Sequence, residues 1–164
     1  MASGDTLLIF TPLHNQPPTS NFATLDVRNQ HPVLDFDDTT DESAIFGGIL
    51  PRNYDGGGIT IYLHYAMSSA TSGNIVWHAT FERIGDEVQD IDSDDFAEAN
   101  TDTDAVPSVS GKVGVASITF TDGADMDSIA AGEAFRLKAT RDADNASDTT
   151  AGDAELLRIE IKET

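Results

Sequence analysis

Two neighbouring stretches of this chain repeat with a period of two, mostly apolar at one set of positions and mostly polar at the other, and that alternation constrains the fold more than any other feature. In residues 59–66 (ITIYLHYA) the odd positions carry Ile, Ile, Leu and Tyr, and the even positions carry Thr, Tyr, His and Ala. Residues 75–82 (IVWHATFE) repeat this period. Successive side chains of a strand point to opposite faces, so a period of two predicts antiparallel strands with one buried face. The intervening segment 68–74 (SSATSGN) has the composition of a turn.

Further short runs extend the pattern along the chain. Residues 44–50 are ambiguous because of a Gly-Gly pair, and 125–131 fit one helical turn. No amphipathic helical stretch of convincing length is present, and the connections are rich in Gly, Pro and Asp. The sequence therefore predicts an all-β chain of about eight strands, an antiparallel jelly-roll or Greek-key β-sandwich, in one domain over residues 1–164. The remaining predicted strands cover residues 6–10, 22–27, 31–37, 113–120, 133–139 and 154–161.

In such a fold the core consists of the interleaved inner faces of two sheets. The alternation assigns ten large apolar residues to it. They are Ile61, Leu63, Trp77, Phe81, Ile118, Phe120, Phe135, Leu137, Leu157 and Ile159.

The charge is lopsided, with 29 Asp and Glu against 9 Lys and Arg and a formal net charge of -20. Binding to bare nucleic acid requires clustered Lys and Arg, which this chain lacks, so we expect no nucleic-acid partner. There is no cysteine, which removes disulfides, thiolate metal sites and cysteine nucleophiles together. The acidic loops 86–104 and 142–153 are expected to face solvent.

The first ten residues (MASGDTLLIF) have no basic region and only a short apolar run. This is too short for a signal peptide or a membrane span. We therefore expect synthesis in the cytoplasm and no membrane partner.

Residues 11–20 (TPLHNQPPTS) form a Pro-rich extended arm or loop, because Pro fixes φ and removes a ladder donor. The arm either packs on its own sheet or reaches a neighbouring subunit. Its prolines Pro12, Pro17 and Pro18 are candidate contacts with a subunit or a shell.

Two histidines lie on the predicted outward faces. If the strands 59–66 and 75–82 form a direct hairpin, Leu63 pairs with Ala79, Tyr65 pairs with Trp77, and His64 faces His78. Facing imidazoles could share a zinc ion, although a third ligand is needed. The favoured interpretation is a polar outer face or a subunit contact formed by Tyr62, His64 and His78.

The carboxylates invite calcium, but no spacing supports it. Residues 90–101 begin like an EF-hand loop, then carry Asp95 where Gly is needed and Thr101 where Glu belongs. Asp-bearing loops could also meet, but solvated acidic loops are favoured. A catalytic Ser-His-Asp pattern and an aromatic-lined glycosidase cleft are both unsupported, so we expect no metal, no cofactor and no enzymatic activity. The loop carboxylates considered for calcium are Asp122, Asp125 and Asp127 with Asp142 or Asp144.

Three stretches together resemble a known group of proteins. They are FATLDVRNQHPVLDFDD from Phe22, GGITIYLHYAM from Gly57, and AGEAFRLKATRDADNASDT from Ala131 onward to DAELLRIEIKE. They are similar to small β-sandwich virion proteins of tailed bacteriophages, of the capsid decoration (cement) or head- and tail-fibre type. The resemblance implies a jelly-roll-like fold, often a homotrimer, mounted on a particle surface, and it implies no catalytic residues.

Two functions are therefore expected from the sequence. The first is a structural virion protein, a capsid decoration protein attached to the major capsid protein and forming a homotrimer. The alternative is a carbohydrate- or receptor-binding β-sandwich module. A glycan binder needs exposed aromatic residues on one sheet face, whereas Tyr54, Tyr62 and Trp77 share no obvious face because Trp77 is predicted to point inward.

Overall fold

The computed structural model describes residues 4–164 and is a sandwich of two antiparallel sheets, which confirms the predicted fold class. One sheet has six strands. Five follow the order β2-β3-β10-β5-β8, and the sixth, β1, also pairs with β10, on the same edge as β3. The other has four strands, in the order β4-β9-β6-β7. The strands are β1 Thr6–Phe10, β2 Thr24–Arg28, β3 His31–Phe36, β4 Glu42–Ile49, β5 Ile59–Met67, β6 Asn74–Ile84, β7 Asn100–Ala105, β8 Val113–Phe120, β9 Ala134–Arg141 and β10 Ala154–Glu163.

Helical structure within residues 4–164 is confined to two three-residue 3₁₀ turns, Pro12–His14 and Ala124–Met126. The second lies in the segment predicted to form one helical turn. No helix of the described part is long and apolar enough to cross a membrane.

The core lies between the inner faces of the two sheets, and nine of the ten predicted core residues are buried there. The exception is Leu157, which is half-buried. A β-bulge between Leu156 and Arg158 shifts the register of β10, so Leu156 points inward in its place. A bulge adds one residue to a strand and thereby reverses the facing of the residues beyond it.

The direct hairpin considered for β5 and β6 does not form, because the two strands belong to different sheets. β5 pairs with β10 and β8, and β6 pairs with β9 and β7. Residues 68–73 cross from one sheet to the other, held where the Ser68 amide donates to the Asp153 carbonyl at 2.9 Å. His64 and His78 therefore lie on opposite outer surfaces of the sandwich, and they share no zinc site.

Two strands exceed the predicted number. β4 occupies the ambiguous Gly-Gly segment, and β7 lies within the acidic loop (NTDTDA). β7 is polar because its side chains contact the neighbouring sheet by hydrogen bonds: the Tyr65 hydroxyl donates to Asp104 Oδ2 at 2.7 Å, and the Ser117 amide donates to Asp102 Oδ2 at 3.0 Å.

The Pro-rich arm packs along the edge of its own strand β4. The Gln16 amide donates to the Ile45 carbonyl at 2.7 Å, and the Ile45 amide donates to Asn15 Oδ1 at 3.0 Å. Pro12 is buried at the start of the first 3₁₀ turn. The arm therefore packs on its own sheet, which is one of the two placements that the sequence left open.

Candidate functional site

The outward side of the six-stranded sheet carries one aromatic residue among several charged side chains. Tyr62 and His64 project from β5, and Arg158, Glu160 and Lys162 project from β10, because alternate residues of paired strands share a face. We call these five residues the open face. Tyr62 and His64 are half-buried, while Arg158 is exposed.

The strand register fixes how these side chains are arranged. Glu160 pairs directly with Tyr62, and Arg158 pairs with His64. Lys162 pairs with Thr60, one step further along the same face, and its Nζ lies 5.8 Å from the centroid of the Tyr62 ring. Diagonal cross-strand neighbours are within reach of long side chains. Tyr62 is therefore flanked by a cation on each side along β10.

The polar atoms of the open face are largely uncommitted. Glu160 accepts a hydrogen bond from the Thr6 hydroxyl. Within residues 4–164, neither the Arg158 nor the His64 side chain has a hydrogen bond or an ion pair. Donors that lack an internal partner at the surface are free to bind hydroxyl or carboxylate groups of a ligand.

The β2–β3 hairpin forms a wall at one end of this face. Its two-residue turn has positive φ at both central positions, 45° at Asn29 and 68° at Gln30, which gives a tight hairpin. Arg28 at the tip donates to the Met67 carbonyl at 2.9 Å and forms an ion pair with Glu155, so the hairpin bends over β10 toward the end of β5. A pocket of about 210 Å³ lies beneath it.

That pocket lies close to the open face. Its lining includes Ala66 of β5 and Leu157 of β10, each next to open-face residues in the strand sequence. Ala66 follows Tyr62 by four residues, a distance of about 13 Å along a strand. Asn29 and His31 add polar groups to the pocket. An extended ligand on the open face would therefore continue into a partly enclosed pocket.

A partly buried carboxylate lies behind the hairpin. Burial raises the pKa of Asp35 to about 6, and repulsion from Glu155 and Asp26 adds to the shift. Asp35 Oδ1 has no hydrogen-bond partner among the described residues. This end of the sheet therefore concentrates negative charge, in contrast to the cations around Tyr62.

The structure does not bring the predicted contact residues together. Tyr62 and His64 are neighbours on the open face, whereas His78 lies on the other sheet with its Nε2 3.1 Å from Asp142 Oδ2. Pro12 is buried, Pro17 is exposed and Pro18 is half-buried. The predicted mixed face of β5 and β6 is therefore two separate faces.

The loop carboxylates considered for calcium are also distributed differently. Asp122 accepts a hydrogen bond from the Tyr54 hydroxyl at 2.9 Å, and Asp127 accepts one from the Arg83 amide at 2.7 Å. Asp142 and Asp144 lie beside Asp41 instead. Because these side chains have separate local partners, the described part of the chain presents no ligand set that joins Asp122 to Asp142 or Asp144.

The charged half of the open face could not be recognised in the sequence. Arg158, Glu160 and Lys162 alternate in LLRIEIKE, which is the available signal. Alternation shows that the three share a face but leaves open which strand lies beside them. The pairing of β10 with β5 joins residues about a hundred positions apart, and only the structure reveals it.

Comparison with solved structures places this sandwich beside carbohydrate-binding modules. The xylan-binding domain CBM22-2 from Paenibacillus barcinonensis matches with a TM-score of 0.54 at 14% identity, over 92% of each chain. A module of a Cellvibrio mixtus lichenase in complex with cellotriose has a TM-score of 0.45 at 15% identity, over 98% of this chain and 99% of its own. The family 30 module of a Clostridium thermocellum cellulase has a TM-score of 0.48 at 7% identity, over 99% and 95%.

The first of these likenesses shows the fold, a β-sandwich of the kind found in carbohydrate-binding modules. No protein-family model matches this sequence, and no curated protein sequence matches it.

Proposed function

We propose that this protein is a carbohydrate-binding module without catalytic activity, which holds a glycan on its open face. One observation carries the proposal: an outward aromatic ring, Tyr62, lies on the open face of a sheet among polar side chains that have few internal partners. This is the alternative function that the sequence analysis left open, and the site favours it over a structural virion role.

The chemistry of the face suits a sugar. A pyranose ring has an apolar C–H surface that packs on an aromatic ring, and hydroxyl groups around its rim that require hydrogen-bond partners. Tyr62 offers the ring, while His64, Arg158 and Glu160 surround it with donors and an acceptor. The pocket beneath the β2–β3 hairpin continues the same surface.

The fold likeness supports the same function. The neighbour with a TM-score of 0.54 is a xylan-binding domain. At 14% identity this likeness transfers no binding residue, so the ligand of this chain has to be inferred from its own side chains.

The test is binding of soluble xylan, β-glucan and cello-oligosaccharides, measured by affinity electrophoresis and calorimetry. We expect Tyr62→Ala to weaken binding about tenfold or more, as truncating an aromatic anchor does. Phe96→Ala is the matched control. Phe96 is also an aromatic residue in contact with a cation, Lys138 Nζ at 4.4 Å from its ring centroid, but it lies against the other sheet. Absence of glycan binding, or equal losses in both variants, would overturn the proposal.

A second candidate is attachment to a protein shell, as the resemblance to phage surface proteins implies. An apolar groove of about 290 Å³ between the arm and β2 favours it, and its lining includes Leu13, Pro17, Phe22 and Leu25. Leu13 is 70% exposed and Leu25 is 53% exposed. Clustered exposed apolar side chains commonly mark protein-binding surfaces.

This candidate predicts a homotrimer in solution and the chain at a fixed ratio to the major shell protein in purified source particles. Leu25→Asp would reduce that ratio and leave glycan binding intact. Particles that lack the chain, with a monomer by light scattering, would eliminate it.

A further inference from the structure

The distribution of positive charge suggests which glycans the open face takes. The chain has only nine Lys and Arg against 29 acids. Four arginines are engaged in ion pairs within the fold, and the cations around Tyr62 are not among them. The paired residues are Arg28 with Glu155, Arg83 with Glu133, Arg136 with Glu82, and Arg141 with Asp148.

Arg158 and Lys162 flank the aromatic ring from the same strand. Arg158 is exposed, and the part of the chain from residue 4 to 164 supplies it with no carboxylate partner within ion-pair distance. Lys162 Nζ lies over the Tyr62 ring at 5.8 Å from its centroid, a cation–π distance, so a sugar stacks on the part of the ring that the ammonium group leaves open. Three other Lys and Arg of the described residues also lack an ion pair, so what distinguishes Arg158 and Lys162 is their position near one aromatic ring.

The two acids on the outward side of β10 have partners other than these cations. Glu160 lies between them on β10, but its carboxylate accepts the Thr6 hydroxyl, which directs it toward β1. Glu155, further along the strand, is bound by Arg28. The Thr6 hydroxyl carries no charge, so Glu160 offsets one of the two cations, and the open face keeps one net positive charge that can bind an anionic ligand.

We propose that the open face recognises acidic glycans, with Arg158 binding the carboxylate of a uronic acid unit whose ring stacks on Tyr62, while Lys162 supplies a second positive charge. This inference rests on the proposed function of the same face. The planar guanidinium fork matches a carboxylate with two parallel hydrogen bonds, which makes Arg158 the specificity residue.

The experiment compares each uronic acid oligosaccharide with its methyl ester, which keeps the sugar ring and removes the charge. Galacturonic and glucuronic acid oligosaccharides are titrated by calorimetry into the full chain. We expect the free acids to bind about tenfold more tightly than the esters, the size of a charge-assisted hydrogen bond. The preference should shrink as NaCl is raised, because salt screens exposed charges.

Substitutions test which residues produce the preference for the free acid over the ester. Arg158→Gln should bring acid and ester to equal affinity, and Lys162→Gln should reduce the preference in part. Lys138→Gln on the other sheet is the matched control and should leave it unchanged. A preference that survives Arg158→Gln would overturn the proposal, as would sulfated sugars binding through Arg158 while uronic acids do not.

The two levels of inference fail differently. If esters and acids bind equally and Tyr62→Ala removes both, the glycan-binding function stands and the acidic specificity is wrong. If no glycan of either kind binds, the proposed function fails and the specificity fails with it.

Discussion

Strands of both sheets show the same alternation in the sequence, but the outward faces of the two sheets differ in how exposed their residues are. On the six-stranded sheet Val115 is 45% exposed, and Tyr62 and His64 are half-buried. On the four-stranded sheet three of the four outward positions of β6 are covered, since Val76 is 1%, Thr80 4% and Glu82 3% exposed, while His78 is half-buried. We call this second surface the covered face.

A single loop accounts for much of the difference. The Ala97 amide donates to the Phe81 carbonyl at 2.9 Å, and the Thr80 hydroxyl donates to the Ala97 carbonyl at 2.5 Å. The Phe96 ring lies beneath Lys138 and Arg136, with cation-to-centroid distances of 4.4 and 4.9 Å. Part of the acidic segment 86–104, which its composition predicts to face solvent, therefore packs on the four-stranded sheet. Residues 4–164 place no such cover over Tyr62 on the six-stranded sheet, which leaves that face available to a ligand.

The largest expected effect is at the loop beside the covered face. The side chains of Arg141 and Asp148 are fully buried and form a two-pronged pair, with Nε–Oδ2 and Nη2–Oδ1 distances of 3.0 Å. Asp148→Ala leaves a buried guanidinium with three carbonyl partners, Phe36, Thr150 and Gly152, and removes the one carboxylate that lies within ion-pair distance among the described residues. We expect the free energy of unfolding to fall by about 3–5 kcal/mol.

Urea titration followed by fluorescence of the single Trp measures this loss. Asp144→Ala is the control, because Asp144 is exposed in the same loop and should change stability by no more than about 0.5 kcal/mol. Equal behaviour of the two variants would show that the loop is not anchored by the buried pair.

A matched pair of substitutions tests the comparison of the two faces directly. Val76→Thr and Val115→Thr replace one methyl group by a hydroxyl of similar size, on the covered and on the open face. Burying a hydroxyl without a partner costs about 1–3 kcal/mol, whereas a half-exposed one is hydrated. We expect a loss of about that size for Val76→Thr and a change within about 0.5 kcal/mol for Val115→Thr.

Thermal and urea unfolding of both variants provide the measurement. If both lose stability equally, Val115 is covered in solution, and a subunit or partner on the open face becomes the better explanation. That outcome would favour an oligomer over a free binding face.

The sequence predicts what depends on local periodicity and misses what depends on distant pairing. Nine core positions follow from the alternation of their strands, and the one error, Leu157, results from a bulge that no residue type announces. β7 escapes prediction because its residues are polar, although they bond to the neighbouring sheet. The direct hairpin considered for β5 and β6 does not form, and a turn-like composition fits a crossing between sheets equally well.

The candidate site shows the same distinction between what local periodicity predicts and what distant pairing decides. Tyr62 and His64 are predicted to point outward from their strand, and they do. Their cationic neighbours belong to β10, whose position beside β5 follows from sheet topology alone. The cover on the other face is likewise a long-range feature, so the sequence could not distinguish an open face from a covered one.

The smallest expected effect concerns the walled end of the open face, where Asp35 lies. Burial raises its pKa in the folded state to about 6 from an ordinary value of 3.8. Between about pH 4 and pH 6 the folded chain therefore holds a proton at Asp35 that the unfolded chain has released. The contribution of Asp35 to the free energy of unfolding falls as the pH rises through that window and is constant above it. Because Asp35 is partly exposed, we expect about 1 kcal/mol after allowing for solvent screening.

The measurement is the free energy of unfolding from urea titrations at several pH values for the native chain and for Asp35→Asn. Other carboxyls shift in both directions, with the pKa of Asp153 raised by burial and that of Glu133 lowered by its hydrogen bond to Arg83, so the difference between the two chains isolates Asp35. Asn keeps the shape and carries no titrating proton, so the variant should gain stability over the native chain as the pH rises from 4 to 6. A difference that stays flat across that window would mean that Asp35 is solvated in solution, with the β2–β3 hairpin open over the end of the sheet. A difference of the opposite sign would place an unrecognised cation beside Asp35.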